Sequence, residues 1–152
     1  METRFAPSGN GAGEYILFRV GRTDFTMDAM RVRGILPARE LKPIDARHAW
    51  LCGFASMRGG AFPVVDLRKK LDLASGSPGR FPCIVVVEVA ASAGMRLIGF
   101  IVDRVCRVVE LRARDFHNGV VRLTGRPRRV LDPDRILSEP ELLSLLQLST
   151  PE

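Results

Sequence analysis

The chain has 152 residues, of which 46% are apolar, 26% charged and 7% aromatic, the balance of one ordinary globular domain with no room for two large ones. A domain of this size buries about two thirds of the surface its unfolded chain exposes, so its core needs no disulfide or metal staple. The net charge of +6, in which all but three of the 23 basic residues are arginine, permits nucleic acid or another acidic surface as a partner and does not choose between them.

Residues 1–13 carry a few charges and a small-residue stretch, Ser8 to Gly13. With no apolar block that could serve as a secretory signal, they predict a flexible tail and a cytoplasmic protein. Glu14 to Val20 is rich in aromatic and β-branched residues, Gly21-Arg22 offers a turn, and Asp24 to Asp28 alternates apolar and polar, which predicts a β-hairpin. A further extended segment, Met30 to Leu36, ends at Pro37, and 38–49 is a polar connection.

Strands are then predicted at Leu51 to Met57, Ala61 to Val65, Cys83 to Val89, Arg96 to Val102, Val105 to Leu111, Val120 to Leu123 and Arg128 to Leu131. Many short strands with Gly or Pro between them indicate a barrel or sandwich. Ala74 to Arg80 is a flexible connection, expected between two halves of the β structure. The longest apolar run, Ile84 to Ala91, is broken by Glu88 and falls short of the roughly 18 residues of a membrane helix.

Helices are few. Asp66 can cap Leu67 to Leu71 by accepting unpaired backbone donors, and Asp132-Pro133 is a second start, with proline where its missing N–H does no harm. Ser138 and Glu141 have capping-box spacing and lead into Leu142, Leu143, Leu145 and Leu146 at helical period. This C-terminal helix is expected to dock its apolar face on its own domain.

The search for chemistry finds little. Cys52, Cys83 and Cys106 lie far apart among apolar neighbours and read as buried reduced thiols. His48 and His117 have no second ligand at metal spacing. No phosphate loop or nucleophile elbow is present. Asp66 and Asp103 adjoin apolar strands, where capping explains them more simply than general-base work. Arg122, Arg126, Arg128 and Arg129 could line up on one hairpin as a nucleic-acid platform. No aromatic residue between 118 and 137 is there to stack on a base, so a solvated hairpin is the better reading. No cofactor, metal or catalytic residue is expected.

The informative stretch runs from Gly53 to Leu71: a strand ending Ser56-Met57-Arg58, a tight turn at Gly59-Gly60, a second strand carrying Pro63, and a short helix capped by Asp66 before Arg68. Arg58 stands at the lip of this hairpin, placed either to lock two sub-barrels or to meet a partner. The segment resembles the signature of the CheW-like coupling proteins of bacterial chemotaxis, approximately Gly-x-x-Asn-Leu-Arg-Gly-x-x-x-Pro-Val-Val/Ile-Asp-Leu-Arg. Tyr15 to Gly21 is similar to that family's opening strand and turn, and Phe25 to Asp28 with Val32 and Ile35 to its Tyr-Gly-Ile-Asp and Val-x-Glu-Ile segment. Ile98 to Val105, with Gly99 and Asp103, is similar to its Val-Gly-x-Val-Val-Asp-x-Val strand. Gly119 and Leu131 to Ser138 resemble its closing strand and helix. The likeness spans residues 14–146 in order.

The resemblance implies a mainly β fold of two small SH3-like five-stranded barrels sharing an apolar seam, with short helices, as one domain over 14–148 and a tail at 149–152. It implies a non-enzymatic adaptor joining the signalling tip of a methyl-accepting chemoreceptor to the regulatory domain of a CheA-type histidine kinase. The protein would be cytoplasmic and recruited to membrane-associated receptor arrays, without membrane insertion and with no nucleic acid. Met57, Arg58 and Gly59 would face the receptor and Val32 and Gly34 the kinase, while Gly53, Pro63, Asp66, Arg68, Gly99 and Asp103 would hold the motif in shape. Three departures qualify the pattern: Gly34 replaces the family's glutamate, Ser56 and Met57 replace its asparagine and leucine, and the passage from Leu111 to Gly119 is short, which predicts a reduced edge or loop in the second barrel. The alternatives are a divergent scaffold of another chemosensory-like pathway with altered kinase binding, and a basic nucleic-acid-binding barrel.

Overall fold

The structure, a computed structural model, describes residues 12–44, 49–58, 60–73, 81–92 and 94–146. Its strands are β1 (Gly13–Val20), β2 (Thr23–Asp28), β3 (Val32–Pro37), β4 (Lys42–Pro43), β5 (Leu51–Met57), β6 (Gly60–Asp66), β7 (Cys83–Ala91), β8 (Gly94–Val102), β9 (Arg104–Leu111), β10 (Phe116–His117), β11 (Val120–Leu123) and β12 (Arg126–Val130). The helices are α1 (Leu67–Lys70) and α2 (Glu139–Leu146), with short 3-10 turns between strands.

Two six-stranded sheets result, in the orders β10-β11-β12-β2-β1-β9 and β3-β7-β8-β6-β5-β4. They are the two SH3-like barrels the sequence implies, each of five principal strands plus a two-residue strand, β10 or β4. Pairing is antiparallel except between β12 and β2 and between β6 and β8.

Successive side chains of a strand point to opposite faces, and here both faces are buried. In β7, Ile84 and Val86 enter one barrel beside Ala55, Phe62 and Val64. Val85, Val87 and Val89 point the other way, into a seam shared with Ile16, Phe18, Phe25 and Phe100. Tyr15 enters the other barrel with Val109, Leu111, Val121 and Val130. An unbroken apolar run such as Ile84–Val87 is what a doubly buried strand requires. α2 closes the seam with Leu142 and Leu145, and Lys70 Nζ in α1 lies 3.3 Å from Glu141 Oε1. The helix therefore docks on its own domain.

Local signals explain the starts of the elements. The Asp66 carboxylate accepts from the Arg68 and Lys69 N–H groups at 3.0 and 3.3 Å. Ser138 and Glu141 form the reciprocal capping box, at 2.8 and 3.2 Å. Asp132 accepts from Asp134 N–H at 2.9 Å, but the turn it starts is a 3-10 turn, Pro133–Arg135.

Several expectations are corrected. The extended segment begins at Val32 and not at Met30, because Asp28 accepts from Met30 N–H at 3.0 Å and winds Ala29–Arg31 into a 3-10 turn. The three thiols are free but half-buried, not buried. The connection 74–80 lies outside the described residues, but β6 before it and β7 after it share one sheet, so it does not join two halves. Of the expected tails, 1–13 and 149–152, residues 1–11 and 149–152 lie outside the described residues, while Gly13 already belongs to β1. The short passage after Leu111 forms a 3-10 turn, Ala113–Asp115, and the two-residue edge β10. Phe116 there closes the barrel against Tyr15, with ring centroids 5.3 Å apart.

The motif residues have steric and electrostatic reasons. A Cβ on Gly53 would meet the Lys42 carbonyl oxygen at 2.1 Å, and one on Gly99 would meet Ile84, Phe62 and Val64 side chains at 2.7 to 3.2 Å. Pro63 precedes the β6–β8 ladder, which runs from Val64 to Asp66. The Asp103 carboxylate accepts from Gly21 N–H at 2.8 Å and from Arg68 Nη2 at 2.6 Å, so one side chain ties the β1–β2 turn of one sheet to α1 beyond the other.

Because the obstacle at Gly53 is backbone, Gly53→Ala should cost about 3 kcal/mol or more, measured as a lowered urea midpoint; an unchanged midpoint would refute the close approach of β4. Arg19 Nε donates to Asp24 across the β1–β2 pair at 2.9 Å. This hydrogen bond holds the Asp24 carboxyl below its ordinary value of 3.8. A depressed carboxyl stabilises the fold above its unfolded pKa and loses that contribution as pH falls through the folded value. Acid unfolding followed by circular dichroism should therefore be flatter in Asp24→Asn than in the parent below about pH 4.

Candidate functional site

The β5–β6 hairpin lifts Arg58 into solvent. Its backbone has φ +52°, a left-handed conformation that is uncommon for residues other than Gly. Among the described residues no hydrogen bond or ion pair engages its side chain. It therefore does not lock the barrels; Arg68 and Asp103 do that. Gly59 lies outside the described residues.

Beside Arg58 is an open groove of about 330 Å³ lined by Arg33, Met57, Arg58, Glu88 and Leu97. Arg33 Nη2 pairs with Glu88 Oε1, and Arg33 Nη1 donates to the Met30 carbonyl at 2.9 Å. The groove thus presents one unpaired guanidinium, one neutralised ion pair and two apolar side chains. Such a mixture suits a protein surface with an apolar contact and an acceptor for Arg58.

The residues expected on two different faces meet here. Gly34 in β3 and Met57 in β5 touch: a Cβ at Gly34 would lie 2.7 Å from Met57 Sδ. Met57 is half-buried at the margin of the barrel core. Val32 is half-buried against the seam and pairs with Val87. A β-bulge lies between Val32 and Gly34, and the strand keeps its alternation: Arg33 and Ile35 are exposed while Val32, Gly34 and Leu36 are half-buried.

Further along β3, a second groove of about 410 Å³ is lined by Ile35, Leu36, Pro37, Arg39, Phe81 and Pro82 among others. Ile35 is 45% and Phe81 73% exposed, which makes an uncovered apolar patch. Sequence reasoning did not single out Arg33, Glu88, Leu97 or Phe81. Glu88 had a signal, being the one charge in the apolar β7 run. Arg33 and Leu97 are separated in sequence and converge through the β3–β7–β8 pairing, and Phe81, just before β7, lines the second groove.

Asp66 and Asp103 hold hydrogen bonds with Arg68 and with backbone N–H groups. Burial, with the Asp66 charge adding to it, raises the Cys52 thiol to about 11, so it is protonated at neutral pH and a poor nucleophile. No helix among the described residues is long and apolar enough to cross a membrane.

The sequence matches the CheW-like domain over residues 14–141. It is 27% identical over 146 residues to chemotaxis protein CheW of Rhizobium meliloti (strain 1021), covering 87% of this chain and 92% of that one. It is 26% identical over 156 residues to chemotaxis protein CheW of Treponema pallidum (strain Nichols), covering 89% and 88%. The fold superimposes on the crystal structure of the scaffolding protein TtCheW from Thermoanaerobacter tengcongensis with a TM-score of 0.72, at 16% identity over 82% of this chain and 92% of that one.

The Gly34–Met57 contact predicts that Gly34→Ala destabilises by about 1 kcal/mol by displacing a flexible thioether. Combined with Met57→Ala the two losses should fall short of their sum by about 0.5 kcal/mol or more. Strict additivity in urea titrations would show that the two side chains do not share the space.

Proposed function

The chain belongs to the CheW-like family, and from that premise we propose that it is a non-enzymatic adaptor that couples chemoreceptor signalling tips to the regulatory domain of a CheA-type histidine kinase. The observation that carries the reading is Arg58, the arginine of the family's Leu-Arg-Gly motif, held exposed in a left-handed turn beside the Arg33–Glu88–Leu97 groove. The turn fixes its backbone and leaves its guanidinium exposed, so a partner's acceptor can be met without breaking an existing contact. The receptor's helical hairpin would lay an apolar stripe against Met57 and Leu97 and place an acceptor at Arg58.

On this reading Val32 and the β3 edge face the kinase. Gly34 offers no carboxylate there; the nearby Glu88 is taken by Arg33, so the kinase contact rests on the exposed apolar side chains, Ile35 first. Individual contacts of this size are weak, and assembly into an array supplies avidity. The protein is then cytoplasmic and reaches the membrane region only through its receptor.

Titration of the purified protein with a receptor cytoplasmic tip and with an isolated kinase regulatory domain, each alone and then together, should show binding to both. Arg58→Glu should weaken the receptor by about tenfold or more, or about 1.4 kcal/mol, and leave the kinase affinity unchanged. Binding to neither partner overturns the reading. Binding to the receptor alone assigns the chain to a scaffold that has lost its kinase contact at β3.

A further inference from the structure

The arginines of the β11–β12 hairpin form more than a solvated face. Arg122, Arg126 and Arg129 are exposed, but Arg128 is buried, with 7% of its side chain accessible. The parallel pairing of β12 with β2 sets Arg129 opposite Phe25 and brings this strand against the β1–β2 turn. An open cleft of about 330 Å³ lies between them, lined by Arg22, Thr23, Asp24, Arg126, Arg128 and Arg129 with Val120 and Pro127.

Among the described residues Asp24 is the only carboxylate lining this cleft, and it is oversubscribed. Arg19 Nε donates to it at 2.9 Å, while Arg128 Nε and Arg126 Nη2 lie 3.5 and 3.9 Å from its second oxygen. Arg128 Nη1 is bound to the Leu123 and Arg126 carbonyls at 2.9 Å each. Its Nε, fully buried, has no hydrogen bond at all. Burying a guanidinium is costly unless charge and hydrogen bonds compensate it. One carboxylate shared among three arginines, with Arg22 and Arg129 added at the rim, leaves a strongly positive concave site.

Guanidinium forks match planar, bidentate acceptors. The shape of the site selects among anions. No aromatic ring lines it, so it offers a nucleobase nothing to stack on. Its lining places these arginines around a cleft of side-chain size, whereas a nucleic-acid backbone or a lipid surface is met by a stripe or a plane of charge. We propose that this cleft docks a short acidic segment of a partner protein, whose aspartate or glutamate carboxylates are taken by Arg126 and Arg129 with Arg128 behind them. It is a contact separate from the Arg58 groove, which lies on the other sheet.

The test uses the full chain and a fluorescein-labelled dodecapeptide of alternating Glu and Ser, with the Gln-Ser peptide as control, at physiological salt. Fluorescence anisotropy should show saturable binding of the acidic peptide only. The variant Arg126→Glu/Arg129→Glu should weaken it by about tenfold or more. A charge-matched control, Arg104→Glu/Arg107→Glu on the opposite edge strand β9, should change it by less than about twofold. Both pairs are exposed, so folding is retained, and melting curves check this. Equal weakening by the two variants, or no saturable binding, overturns the proposal. Tighter binding of a single-stranded oligonucleotide, inorganic phosphate or phosphatidylglycerol vesicles through the same two arginines also overturns it and reassigns the occupant.

Discussion

A β-strand has two faces, and in β1, β7 and β8 each face is claimed by a different core. Val85, Val87, Ile98 and Phe100 meet Ile16, Phe18 and Phe25 in the seam, while Ile84 and Val86 fill one barrel and Tyr15 the other. Neither barrel can be withdrawn from the other without exposing the phenylalanines of the seam, each worth about 1.5–3 kcal/mol of burial. The two barrels consequently behave as one body, and surfaces on different barrels keep a fixed geometry.

Charge closes the seam where apolar side chains run out. At one end Asp103 gathers Gly21 N–H and the Arg68 guanidinium. At another, Arg31 reaches the Glu88 carbonyl at 2.6 Å and Asp134 at 2.6 and 3.1 Å. Asp134 also accepts from Ala90 N–H at 2.8 Å. Exposed ion pairs contribute little to stability, but these are half-buried, and the aspartates also accept from backbone N–H groups. Their main effect is orientation: they pin the β1–β2 turn and the segment before α2 to chosen points on the second sheet.

Much of this was legible in the sequence because it is written locally. The caps at Asp66 and Ser138 are one-turn signals. The Gly53-to-Leu71 stretch carries both a hairpin and its steric exceptions. The apolar run at Ile84–Val87 marked a strand, and the two cores show that both its faces are buried. What stayed hidden depends on convergence. Glu88 and Arg33 belong to different strands and become a groove wall only through the β3–β7 register. Arg128 looked like its exposed neighbours Arg126 and Arg129. A two-residue periodicity separates it from Arg129, but only the parallel β12–β2 pairing decides which of the two turns inward. Met30 misled because an extended pattern and a capped turn compete for the same residues, and the Asp28 carboxylate settles the contest.

Gly34 shows how a departure from a family pattern can be structural before it is functional. Read as a missing glutamate it removes a charge from one edge. In the fold it also removes a Cβ, and the vacated space is filled by the Met57 thioether from across the barrel. Methionine is unbranched and adapts to an irregular gap, whereas a Cβ-bearing residue at 34 would need that gap for itself. The two changes therefore fit one another: glycine on β3 permits methionine before the Arg58 turn. The β3 edge and the Arg58 groove share this side chain, so a substitution at Gly34 or Met57 chosen to alter one surface repacks the edge of the other. The seam holds the two barrels rigidly, but these two surfaces of one barrel are not independent sites.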